Sequence, residues 1–332
     1  MSKWNVFVYH KESNASGAEA FAMVTRATLS GKIQSGKTPV VEYKRQADAA
    51  WSTLAASAVK VSGTSFTASL TGLKAATAYQ YRVSVDGTAG EEQSFTTVEA
   101  VPLTNGGFDD WSSVAVGKNT LWQPWAEGGT SFWDTGNKGA TTVGNSNSTP
   151  TTETSTGSGQ AASLESKYIV LKFAAGNIFT GTYVRTDGTN GVLQFGRPFT
   201  SFPSKLRIHY KYNCVPINKS GDDDFKYLVG RPDSCQVYIA LTDWDAPLEI
   251  RTRPSERQLF DPSDPKVIAY GELTKGEPVS SWTQADIVLD YRYTNRTPKY
   301  IVVVASASKY GDYFTGGEGS KLWLDECELI YD

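Results

Sequence analysis

Three observations predict an all-β chain of two domains, a β-sandwich followed by a larger jelly-roll sandwich. Short segments of alternating apolar and polar residues recur along the whole length, separated by Gly, Ser, Asn and Asp. No convincing helical periodicity interrupts them. Aromatic residues are abundant, with nine Trp, seventeen Tyr and fourteen Phe among 332 residues, and such residues either fill β-cores or form flat platforms for ligands.

The elements follow in order. Residues 4 to 97 alternate in Trp4–Tyr9, Ala22–Thr25, Val40–Tyr43, Phe66–Leu70 and Tyr79–Val83, the spacing of a small sandwich over residues 1–98. Trp51 is expected in its core. No acid, base or nucleophile cluster appears here, so a spacer or docking role is expected. Val98-Glu-Ala-Val-Pro102 reads as a linker. Residues 103–332 show further strands, at Tyr168–Phe173, Lys205–Tyr212, Gln236–Leu241, Val267–Tyr270, Ala285–Tyr291, Tyr300–Ala305 and Lys321–Tyr331, without an internal repeat. Residues 138–160 are polar and lack aromatics, and are expected to be either mobile or pinned against a ligand or ion.

The last strand changes parity. Leu322 and Leu324 are even-numbered, whereas Cys327 and Leu329 are odd-numbered. A one-residue bulge at Asp325-Glu326 would restore the inward face and aim Asp325 at something specific.

Charge and composition exclude several classes. Thirty-two basic residues against thirty-five acidic ones give a net charge of −3, and no Lys/Arg block is present, so a nucleic-acid partner is disfavoured. No apolar run approaches the length of a membrane-spanning helix. His10 and His209 are too few for a zinc site or histidine-based catalysis; His209 shares an exposed strand face with Arg207 and Lys211. Cys214, Cys235 and Cys327 permit one disulfide, with the Cys214–Cys235 pairing left open. Met1-Ser-Lys-Trp4 lacks the apolar core of a signal peptide. That leaves a cytoplasmic protein, or the mature part of an exported one.

Leu73, Thr77 and Tyr79 stand as they do around the tyrosine corner, and this stretch resembles a fibronectin type III or Ig-like domain. Asn105–Trp111, Phe132–Asn137, Ala174–Gly181 and Ser306–Ser320, together with Gly196–Phe199, Val267–Gly271 and Leu324–Leu329, resemble the putative carbohydrate metabolism domain of exported gut-bacterial proteins. The first and last of these stretches are also similar to the opening and closing strands of galactose-binding-like carbohydrate-binding modules. The resemblance implies a jelly roll, a poly- or oligosaccharide partner, possible protein partners at the cell surface, and an extracytoplasmic location. It further implies a structural Ca²⁺ near the first and last strands, at Asn105, Asp109 and Asp325. Carboxylate and carbonyl oxygens suit that ion; the rival account has Asp325 accept backbone hydrogen bonds at the bulge.

Three tryptophans, Trp122, Trp125 and Trp133, fall within twelve residues in a Pro- and Gly-bearing stretch. An indole can stack on the apolar C–H face of a sugar, and Asp134, Asn137 and Glu127 could bind its hydroxyls. The alternative is that one or two of these rings close the end of the sandwich. Glycoside hydrolysis requires two carboxyl groups about 5–9 Å apart. Glu127, Asp134 and Glu165 are the leading candidates, with Asp243, Asp312 and Glu318 also available, and no spacing selects a pair. Asp243-Trp244-Asp245 reads as a turn, and Asp222-Asp-Asp224 as a solvated loop. Glycan recognition is therefore the expected function. A glycoside hydrolase and a non-catalytic adhesion or assembly subunit are the alternatives.

Overall fold

The computed structural model describes residues 18–170 and 172–332; the expected strand Trp4–Tyr9 and His10 lie outside them. The chain divides into two units, residues 1–100 with Asp332, and residues 101–331. Among the described residues, the strands pair antiparallel.

In the first unit, four strands pair in the order Glu19–Ala22, Ala27–Lys32, Ser65–Leu70 and Val59–Ser62. A second sheet centres on Pro39–Arg45 and Ala78–Val85. Period-2 patterning turns Phe66, Ala68 and Leu70 from one sheet toward Tyr79, Tyr81, Val83 and Val85 of the other. Tyr79 is the corner tyrosine: its hydroxyl accepts the backbone N–H of Lys74 at 2.9 Å. Trp51 departs from expectation. It lies outside the core cluster, with the Arg82 guanidinium 4.4 Å and the Lys44 ammonium 5.0 Å from its ring centroid. An indole flanked by two cations gains cation–π attraction at the surface that a core position would not offer.

The second unit is a sandwich of a nine-stranded and a five-stranded sheet. The larger runs through Leu248–Arg251, Asn190–Phe195, Asn177–Asp187, Tyr300–Ser306, Cys235–Thr242, Val267–Lys275 and Asp290–Tyr291. The smaller runs through Ser148–Thr151, Ala161–Glu165, Lys321–Ile330, Lys205–Asn213 and Val279–Val288. Leu206, Ile208, Tyr210, Leu322 and Leu324 from the smaller sheet meet Val237, Ile239, Leu241, Ile301 and Val303 from the larger. Arg207, His209 and Lys211 alternate onto the outer face as expected.

The larger sheet is apolar on both faces. Tyr238, Ala240, Val302 and Val304, of opposite parity to the main core, join Phe179, Tyr183, Leu193 and Phe195 in a second cluster. Ile301–Ala305 is therefore a continuous apolar run, because each successive side chain enters one core or the other. Loops cover the second face.

The bulge is present. His209 pairs with Asp325 while Arg207 pairs with Glu328, so two residues of the last strand oppose Ile208. Glu326 adopts a left-handed φ of 45°, and Cys327 and Leu329 return to the core. All three cysteines are free thiols. Cys214 donates to the carbonyl of Asp233, and burial pushes the Cys235 thiol up to about 12.

Candidate functional site

On the loop-covered face of the nine-stranded sheet lies a cavity of about 270 Å³. Phe179, Tyr183, Leu193, Phe195, Tyr238 and Val304 form its apolar floor. Its walls come from the short helix Asn137–Ala140, the hairpin of Lys167–Ile169 with Lys172–Ala174, and the turn around Gly311–Tyr313. Asn177, Gln236, Thr252, Ser306, Lys172, Lys309 and Asp312 bring polar atoms to a lining of aromatic and aliphatic side chains. Apolar walls with a few convergent polar groups are the usual make-up of a small-ligand site.

Asp312 is the sole carboxylate among the described lining residues. Asp312 is exposed, so solvent tempers the effect of its protein surroundings. Burial raises its carboxyl to about 6, against the opposing pull of the Arg257 guanidinium. No hydrogen bond or ion pair to the Asp312 carboxyl is present among the described residues. The cations near it are engaged elsewhere. Arg257 pairs with Asp222 at 2.6 Å and lies over the Tyr313 ring. Lys172 donates to Asn190 at 2.6 Å and sits 3.4 Å from the Phe314 centroid. Lys309 pairs with Glu272. Burial alone would raise the Glu272 carboxyl, but hydrogen bonds from Thr274, Tyr270, Gln236 and Lys309 outweigh it and hold the group at about 2.

The turn carrying Asp312 is rigidly set. Asp233, fully buried, accepts from Ser308 Oγ at 2.6 Å and from the backbone N–H of Gly317 at 2.7 Å, which ties both ends of the turn to one carboxylate. A Cβ on Gly311 would collide with that of Ala175, so the close approach requires glycine. Phe314 closes the turn with a left-handed φ of 53°, an uncommon conformation for a bulky residue. Sequence reasoning missed Asp233 and most of this cavity. The doubly apolar strands at 236–241 and 301–305 were the available signal.

The tryptophan stretch divides. Trp122 and Trp125 are half-buried. Trp133 is a correction to the platform expectation: at 0% exposure it packs 5.1 Å from Phe108 and donates its indole N–H to the Thr104 carbonyl. The stretch reads as loop, but Trp133 begins a strand paired with Asn177–Asp187, which turns its ring into the core. Asp134 and Asn137 are corrected likewise. Asp134 accepts from the N–H groups of Thr135 and Tyr183 and from Lys138. Asn137, 0% exposed, donates to the Trp122 and Ser148 carbonyls and accepts from the N–H groups of Asn147 and Ser148. Its amide is saturated by loop backbone, leaving nothing for a ligand. Of the catalytic candidates, Glu127 is exposed and Glu165 pairs with Lys167. None of Glu127, Asp134 or Glu165 lines the cavity.

Asp243 is bound by Arg296 and Asp245 by Lys266 and Lys299, so that acidic stretch closes a turn. Asp222 caps a 3₁₀ turn while Asp223 and Asp224 remain exposed. At the bulge, Asp325 is 1% exposed. One of its oxygens accepts the N–H and Oγ–H of Ser155, the other the N–H of Glu326. Asp109 accepts from Gln160 and Asn105 from Asp110. The polar segment 138–160 is thus pinned against two carboxylates. Among the described residues no three His, Cys, Asp or Glu side chains form a metal-binding group. With its oxygens already satisfied by N–H and O–H donors, this corner does not fit Ca²⁺ as it is arranged.

Fold and cavity place the chain among all-β sandwich proteins. More narrowly, it belongs to the family described as "Putative carbohydrate metabolism domain", which matches residues 107–330. Residues 25–97 match the N-terminal domain of purple acid phosphatase. Two solved structures are similar. A "putative glycoside hydrolase" from Bacteroides vulgatus is 22% identical at a TM-score of 0.52, with 68% of this chain and 96% of that one covered. Another so described, from Bacteroides thetaiotaomicron, is 18% identical at 0.53, with 92% and 86% covered. At these identities the likeness shows the fold alone. Among curated proteins, none matches the chain. No helix among the described residues is long and apolar enough to cross a membrane.

Proposed function

We propose that the chain recognises a saccharide in the cavity on the nine-stranded sheet and does not hydrolyse it. The observation that carries this reading is the lining itself, an aromatic floor with scattered amides and hydroxyls and a single carboxylate. Sugar rings offer apolar C–H faces to such a floor and hydroxyls to such polar groups. A cavity of about 270 Å³ suits a short stretch of glycan, near the small end of ligand sites. The glycoside hydrolase reading is favoured by one feature, an acid whose carboxyl is raised to about 6. Among the described lining residues there is no partner carboxylate of the kind both hydrolytic geometries need.

The test combines a glycan-binding screen with an assay for new reducing ends. Thr189 is exposed and lines the cavity, so Thr189→Trp should block it without disturbing the core. We expect binding without product, lost in Thr189→Trp and kept in Trp122→Ala and Trp125→Ala. Released sugar would establish the hydrolase instead.

A further inference from the structure

Resting on that reading, we propose that Asp312 is the specificity-determining residue, accepting hydrogen bonds from two adjacent hydroxyls of a neutral sugar in the cavity. The carboxylate lines the site, is exposed to a ligand entering it and has no protein partner among the described residues. It is held there by a turn that requires Gly311, a left-handed Phe314 and the clasp of Asp233. Strain and close packing at an unpaired polar group are what a preorganised ligand contact looks like. Two oxygens with free lone pairs match the spacing of a vicinal diol, as they match other bidentate donors.

The Asp312 carboxylate itself selects against an acidic sugar, because two like charges would face each other. Arg257 is engaged with Asp222, Lys172 with Asn190 and Thr189, and Lys309 with Glu272. A ligand carboxylate beside Asp312 would face a free anion, and of the three cations only Lys172, bonded to neutral groups, would remain without an ion pair to offset it. Burial raises the hydroxyl of Tyr238 on the floor well above its ordinary value, so it remains an uncharged neighbour. Protonation of Asp312 replaces an acceptor with a donor and so weakens the diol contact. Its carboxyl, raised to about 6, brings that change into a mildly acidic range.

Affinities for neutral cello-, xylo-, manno-, arabino- and galacto-oligosaccharides, and for oligogalacturonates, would be measured between pH 4.5 and 8. Wild type should bind a neutral sugar and weaken about tenfold per pH unit below the Asp312 titration, the slope for loss of one ionised group. Asp312→Asn should bind at least about tenfold more weakly at pH 7.5 and lose that pH slope. An unchanged affinity or an unchanged slope in Asp312→Asn, with Thr189→Trp still blocking, would overturn this inference alone. Exclusive binding of oligogalacturonates would also overturn it. Absence of binding to every probe would defeat both this inference and the cavity reading.

Discussion

At Asp312 a carboxyl that ordinarily titrates near 3.8 is raised to about 6 by burial. Between those pH values the unfolded chain has released a proton that the folded protein still holds. Stability therefore falls as pH rises through this window and stays lower above it. Replacing the acid with its amide removes that penalty. Asp312→Asn should melt at a higher temperature than wild type at pH 7.5, and the difference should vanish near pH 4. Trp133 makes the opposite case. Its ring fills the core between Phe108 and Phe132, so Trp133→Ala should cost about 3–5 kcal/mol in denaturant unfolding. Trp125→Ala, at a half-buried ring, should cost far less.

The bulge in the last strand and the turn above the cavity each solve a local problem of geometry. Parity alone made the bulge legible, because Leu324 and Cys327 face one core and a period-2 strand cannot put both there without an extra residue. What Asp325 touches was not legible, since Ser155 reaches it from a loop 170 residues away. The left-handed φ of 45° at Glu326 is strained for any side chain but glycine. Burial, Asp325 and Asp109 all raise the Glu326 carboxyl. Glu326→Gly should therefore be neutral to about 1 kcal/mol stabilising by chemical denaturation, whereas deletion of the residue should prevent folding. In the cavity turn, Asp233→Ala leaves Ser308 Oγ and the Gly317 N–H without their acceptor, at about 1–3 kcal/mol. Saccharide affinity should fall further than stability predicts, because Asp312 would no longer be held in place.

Across the whole chain, two successive sandwiches followed from alternation and aromatic content, which are local patterns. The cavity did not follow, because its lining spans residues 136 to 314 and no short window contains it. The tryptophan stretch drew notice for composition, yet pairing with Asn177–Asp187 turned Trp133 inward. Two bulk predictions follow from side chains already satisfied. A calcium chelator should leave the melting temperature unchanged, given donors on both oxygens of Asp325. A reducing agent should do likewise, given three free thiols. The most direct test of the central claim is a crystal structure with the tightest-binding neutral oligosaccharide from the screen. The account predicts a sugar ring over the aromatic floor, with adjacent hydroxyls on the Asp312 carboxylate. A ring stacked instead on Trp122 or Trp125, with the cavity holding only water, would contradict it.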